Sequence, residues 1–233
     1  HPDAGYDLHD LPEGNLIISL FEDCGRFGRR HDIRTGFHPD QFIVLSSPAP
    51  GVVERSVADL IYQAEVAEWV GADVINIHGG GVYGDKPAAL KRLSTVIRSL
   101  PDKVRNRLTL ENDDRSYTPE DLLPVCRATG VPLVYDVHHH RCLPDGLDVA
   151  AATGAALATW KREPLFHLSS PLEGWMGKNL KKHHDVIDPE DFPDAWKDLD
   201  ITVEVEAKDK ELAVAALGHA LQAKGIAVRI PGP

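Results

Sequence analysis

No stretch of this 233-residue chain approaches the roughly 20 consecutive apolar residues that span a bilayer, so it reads as a soluble protein. The first residues lack a basic segment followed by an apolar one, and no secretory signal is expected. Cysteine is scarce: Cys24, Cys126 and Cys142 are odd in number, widely spaced and never in a CxxC pair. That usage fits a reducing interior better than a disulfide framework. Positive charge is also short, with 25 Lys and Arg against 36 Asp and Glu and a net charge of −11. Alone, this argues against a nucleic-acid partner, because phosphate binding relies on basic patches. Carboxylates that hold metal ions are neutralised by them, however, and local clusters depart from the mean. Two such clusters are Arg26, Arg29, Arg30, His31 and Arg34, then Lys178, Lys181 and Lys182. On charge alone both read as solvated surface. No Ser/Gly linker, low-complexity tract or short repeat divides the chain, so residues 1–233 read as one domain.

What is present is an alternation of strand and helix. Short apolar runs occupy 33–38, 72–78, 107–111, 131–136, 163–168 and 201–206. Between the first two, Val53, Val57, Leu60, Ile61, Ala64, Ala67 and Val70 fall on one helical stripe. Thr118-Pro119-Glu120-Asp121 supplies an N-cap hydroxyl, a proline at the first position and acids in the first turn, and Asp188-Pro189-Glu190-Asp191 repeats the pattern. Gly71 and Gly130 are placed to close helices.

Such alternation implies a parallel sheet. His38, His78, Glu111, Asp136, His167 and Glu206 each close one of the six runs. An open doubly wound sheet would draw on the strands beside its switch point, whereas a (β/α)8 barrel gathers every strand's C-terminal end at one mouth. The pattern favours an α/β barrel of the TIM (β/α)8 type. Eight strands are expected there and six are counted. His1-Pro2-Asp3 echoes His38-Pro39-Asp40, as though the chain starts at the end of a second strand without the first two βα units.

Taken singly, a strand-end histidine is more often a cap than a ligand. Six His, Asp and Glu residues at equivalent positions are not explained that way. Glu111, Asp136 and Glu206 converging on one mouth would repel strongly without cations. The mixed His/carboxylate set suits Zn²⁺, Mn²⁺ or Fe²⁺. His139, three residues past Asp136, can face the same mouth. If the segment stays extended, His138 and His140 point elsewhere, as loop surface or as support behind the ligands. His183 lies in the long loop after His167 and can reach back.

The motifs HPDQF (38–42), INIHGGG (75–81), LTLENDD (108–114), YDVHHH (135–140), FHLSS (166–170), KHHD (182–185) and VEAKDKE (205–211), in this order, resemble the ultraviolet damage endonucleases from residue 1 to roughly 224. The resemblance implies a TIM barrel related to endonuclease IV, a cluster of three divalent metals and a nick immediately 5′ to cyclobutane pyrimidine dimers and 6-4 photoproducts. Manganese is the expected metal, with zinc, cobalt and iron as alternatives. By resemblance, His1, His38 and His78 are ligands of one ion. Asp136, His167 and Glu206 serve a second, with Glu111 shared between these two, and His139 and His183 serve a third. Gln41 and Phe42 match the lesion-probing pair, where tyrosine is frequent at the second position, and Tyr6 matches a residue lining the lesion pocket. Glu111, Asp136 and Glu206 are also the candidate catalytic groups, with Lys208 as a candidate phosphate contact. Leu165 stands where some members place a modified lysine at the metal site, which leaves water or Asp185 to complete the third ion's shell.

The chemistry so implied is in-line attack by a metal-activated hydroxide, with another ion stabilising the departing 3′ oxygen. The partner is damaged duplex DNA, the expected state is a monomer, and the expected place is the bacterial cytoplasm at the nucleoid, or the nucleus in a eukaryote. Two rivals remain from sequence. One is a sugar or sugar-phosphate isomerase of the same barrel type using one or two metals. The other is a lesion-binding module that does not cut.

Overall fold

The computed structural model describes residues 10–39 and 41–229, and each of the six predicted runs contains a strand. These are β1 (Gly36–Phe37), β2 (Val74–His78), β3 (Leu108–Glu111), β4 (Leu133–Asp136), β5 (Leu165–Leu168) and β6 (Thr202–Val205). The helices are α1 (Gly14–Arg30), α2 (Pro50–Val70), α3 (Lys86–Ser99), α4 (Asp102–Arg105), α5 (Pro119–Thr129), α6 (Val137–Cys142), α7 (Val149–Leu157) and α8 (Glu211–Ala223). No helix among the described residues is long and apolar enough to cross a membrane. The chain divides into two compact units, residues 1–110 with 125–131 and residues 111–124 with 132–233.

In the first unit β1 pairs in parallel with β2, Gly36 opposite Val74, and Arg34 grips Asp73 beside that pair through Nε (3.1 Å) and Nη2 (2.7 Å). β3 follows β2 in the sheet, and Thr109 donates to the buried Asn76 side chain at 2.8 Å. Helix α3 buries Ala89, Leu93 and Ile97, a spacing of four that keeps one face inward. On α2 the buried face is Ser56, Leu60, Ala64, Val66 and Ala67, so the stripe is rotated from the predicted one, leaving Val53 and Val57 half-buried. Ser56 tolerates burial because its hydroxyl accepts from Val44 N and donates to Val52 O, both at 2.9 Å. Gly25 of α1 meets α2 so closely that a Cβ there would lie 2.3 Å from Val70 O. Gly71 ends α2 with φ +76°, a left-handed cap that glycine adopts without strain.

In the second unit β4, β5 and β6 are parallel neighbours, with Asp136 opposite His167 and Leu168 opposite Val205. Their apolar ends close on a ring cluster. Tyr135, Phe166 and Trp196 lie 5.3 to 6.1 Å apart, and the Trp196 indole donates to Thr153 of α7 at 2.9 Å. Helix α5 starts at the predicted cap: Asp121 Oδ2 accepts from Thr118 N at 3.0 Å, and Thr118 Oγ1 accepts from Asp121 N at 3.4 Å. The second copy of that pattern makes only a three-residue 3₁₀ turn, Pro189–Asp191. Asp188 caps it, but the buried Asp191 carboxylate is drawn inward by Ser170 and Trp175, and Pro193 follows one residue later.

Candidate metal and active site

Parallel strands deliver their C-terminal ends to the same edge, so a polar residue there sits beyond the apolar core. In the second unit this places Glu111, Asp136 and His167, all fully buried, beside the less enclosed Glu206. One ligand atom from each of these four lies within 4.8 Å of the others. His167 Nδ1 is 3.3 Å from Glu111 Oε1 and 3.2 Å from Glu206 Oε1, while its Nε2 faces Glu204 at 3.5 Å. His139, His183 and Glu206 form a second set on the same distance criterion. His139 Nδ1 is 3.4 Å from Glu111 and 3.3 Å from Asp136, and His183 Nδ1 is 3.7 Å from Glu206 Oε2. Glu206 therefore stands between the two sets.

His139 reaches this position by a route the sequence did not disclose. The chain does not stay extended after Asp136; it turns at once into α6. Asp136 is the N-cap, its Oδ1 accepting from His139 N at 2.7 Å, so one carboxylate both caps the helix and faces the cluster with its other oxygen. His138 and His140 consequently sit buried rather than on a loop surface. His138 packs against the rings of His183 (5.1 Å) and Trp175 (5.3 Å). His140 is held at both ring nitrogens, by the Tyr135 hydroxyl at 2.7 Å and by Asp145 at 3.0 Å.

Asn112 is a further residue that the sequence did not single out. Fully buried after Glu111, it accepts from Asp136 N at 3.0 Å and donates to Asp136 O at 2.8 Å, acting as an extra ladder rung between β3 and β4. Its carbonyl also meets His139 Nδ1 at 3.0 Å. An asparagine directly behind a strand-end acid was the available signal.

The electrostatics follow from burial opposed by charge. Burial alone would lower His139, but Asp136, Glu111 and Glu206 outweigh it and push the imidazole up to about 10. His167 is raised well above its ordinary range against burial by Glu111, Glu204 and Glu206. Burial raises Asp136, which also feels the neighbouring Glu206 and Glu111, while the His167 contact holds Glu206 low despite its own burial. His138, desolvated and close to His183 and His139, is lowered to about 4. The carboxylates thus retain protonated imidazoles as counter-charges, a role that a divalent cation can take over.

In the first unit, His38 follows β1 and His78 ends β2, with ring centroids 5.4 Å apart. Gln41 and Phe42 are exposed, Phe42 at 76%. His1 and Tyr6 lie outside the described residues. Leu165 is buried in β5. Asp185 is exposed and paired with Lys208 Nζ at 3.0 Å, which holds its carboxyl below the usual range. The acid that the structure sets beside His139 and His183 is Glu206.

The sequence matches the family model described as UV-endonuclease UvdE over residues 1–231, which takes in both units. The UV DNA damage endonuclease of Bacillus velezensis is 37% identical over 237 residues, covering 96% of this chain and 71% of that protein. Its namesake from Deinococcus radiodurans is 42% identical over 226 residues, covering 92% and 70%. Among solved structures SacUVDE matches with a TM-score of 0.84 at 28% identity, over 94% of this chain and 77% of that one. Endonuclease IV from Thermus thermophilus (TM-score 0.61, 19% identity, 91% and 82% covered) and D-psicose 3-epimerase from Clostridium cellulolyticum (0.60, 15%, 81% and 69%) share the fold. The chain has the α/β fold of the TIM-barrel type expected from its strand-end residues.

Proposed function

The chain belongs to the UV-endonuclease UvdE family, and from that premise we propose that it is a metal-dependent repair endonuclease that nicks duplex DNA immediately 5′ to cyclobutane dimers and 6-4 photoproducts. The products are a 3′-hydroxyl and a 5′-phosphate. The observation that carries the reading is the cluster of buried Glu111, Asp136 and His167 with half-buried Glu206. Asp136 Oδ2 is enclosed there and receives no hydrogen bond from the described residues, as suits an oxygen that faces a cation. Borderline imidazole with hard carboxylate fits manganese, zinc, cobalt or iron, and manganese is our choice.

Of the three ions proposed, one would be held by His1, His38, His78 and Glu111, and a second by Glu111, Asp136, His167 and Glu206. The third takes His139 and His183, with Glu206 in reach of both. When bound, the ions supply an activated water and charge stabilisation at the departing 3′ oxygen. The chain's residues do the rest. Glu111, Asp136 and Glu206 hold the cluster's negative charge, and α6 fixes the His139 ring through Asp136 and Asn112. Lys208, paired with Asp185, would exchange that carboxylate for a substrate phosphate. Gln41 and the exposed Phe42 occupy the space opened at the lesion, with Tyr6 in its lining. Opening costs a few kcal/mol, least where damage has already weakened stacking. The enzyme acts as a monomer at the nucleoid. Sugar epimerases share the fold, while the family match of this chain is to UvdE.

The test is an end-labelled duplex carrying one thymine dimer, incubated with Mn²⁺. A single cut 5′ to the dimer, absent with EDTA, with undamaged duplex and in Glu111→Ala, is expected. Binding to the dimer without a cut, in metal-loaded folded protein, would instead support the non-cutting module.

A further inference from the structure

The loop between β5 and β6 carries features that the cluster does not use. Its base is a short antiparallel closure: Pro171 bridges His183, Leu172 N donates to Lys182 O at 2.6 Å, and His184 N donates to Ser170 O at 2.8 Å. His183, at that base, is one of the grouped ligand residues. From there the chain runs out through Trp175-Met176-Gly177-Lys178 and returns through Lys181-Lys182. Trp175 is turned inward, its indole donating to the buried Asp191 at 2.6 Å while the Arg141 guanidinium lies 5.5 Å over its ring. Its neighbour Met176, the sole methionine of the chain, is 99% exposed.

The loop's charge runs against that of the chain. Across 172–182 three lysines face one acid, Glu173, in a protein of net charge −11. Lys181 is committed to Asp114, through its carbonyl and its carboxylate at 3.5 Å, which ties the return limb down. Lys178 and Lys182 are exposed. Resting on the reading that duplex DNA is the substrate, we infer that this loop is a second DNA-contacting element, with Met176 an apolar wedge at the damaged step and Lys178 and Lys182 phosphate contacts.

The tip is built of two turns, Gly174 N donating to Pro171 O and Gly177 N to Gly174 O, both at 2.9 Å, and Met176 lies within the second of them beside the anchored Trp175. An unbranched thioether adapts to an irregular gap, and methionine is among the side chains that wedge between unstacked base steps. The inward anchor on Trp175 keeps the adjacent Met176 outward without demanding any apolar cover.

The test is fluorescence anisotropy of wild type, M176A, M176L and K178A/K182A on a duplex with one thymine dimer and on its undamaged twin, over a range of salt. Nicking of the same duplex is read separately. M176A should lose on the order of tenfold in affinity for the dimer, as expected for leaving one methionine unburied, with undamaged binding unchanged and M176L retaining the preference. K178A/K182A should flatten the log–log salt dependence by about 0.9 per lysine on both duplexes. Nicking below saturation should fall in step with the affinity lost in M176A and K178A/K182A. An unchanged dimer preference in M176A overturns the wedge, and an unchanged salt slope overturns the phosphate contacts. If wild type binds dimer DNA without cutting, the loop is still judged by these affinities while the nuclease reading falls. Wild type that binds neither duplex overturns both.

Discussion

Glu111 is a carboxylate with no solvent exposure, which would be costly without partners. Its partners are the imidazoles of His139 and His167, and it is one reason both hold their protons. Removing the charge while keeping the shape separates those roles. In metal-free Glu111→Gln, both imidazoles should titrate lower than in wild type, His139 below its value of about 10, as read by nitrogen-15 NMR. An unmoved His139 would mean that Asp136 and Glu206 alone set its charge. In the metal-loaded enzyme the same change should cut nicking by about a thousandfold, several kcal/mol of charge stabilisation. The cysteines give a simpler contrast. Burial pushes Cys126 up to about 12 and Cys142 up to about 11, whereas Cys24 is exposed. Iodoacetamide at pH 8 should label Cys24 alone in the native protein, seen by mass spectrometry, since the thiolate is the reactive form. Native labelling of Cys126 would contradict its enclosed position.

At the scale of elements, Asn112 links two strands and a helix. Asn112→Ala would strip both backbone groups of Asp136 of their partners, at about 2–4 kcal/mol for two buried groups left unsatisfied. The urea midpoint should fall accordingly, and because Asp136 caps α6, occupancy of the His139 position should fall with it, measured as metal bound per chain. Loss of stability with full metal content would confine Asn112 to the sheet. This junction also marks where the sequence stopped being legible. The strands could be read because apolar runs ended in His, Asp or Glu, and those endings named the ligand candidates directly. Helix α6 could not, because three successive histidines carry little helical preference, and the helix exists through a tertiary cap from Asp136 and the Tyr135–His140–Asp145 chain. Asp188-Pro189-Glu190-Asp191 failed for the opposite reason: the local signal was sound, but Asp191 is claimed by Ser170 and Trp175.

For the molecule as a whole, the cluster links stability, metal and pH. In the metal-free fold His139 and His167 are raised, so their contribution to stability is fully present below the unfolded value near 6.5 and is lost as pH rises toward about 10 for His139. A metal ion needs the same imidazoles neutral, so its binding releases their protons and tightens over that range. The loaded fold carries no such protons and is insensitive above pH 6.5 on this account. The two curves must therefore diverge with rising pH. A fixed Mn²⁺ concentration 100-fold above the dissociation constant stabilises by about 2.7 kcal/mol, and that margin should be larger at pH 9 than at pH 6. Thermal melts of EDTA-stripped and Mn²⁺-loaded protein, taken at both pH values in one buffer system, measure it. A gap that fails to widen toward pH 9, with manganese kept in solution, would mean that the stripped cluster holds no protons for the metal to displace.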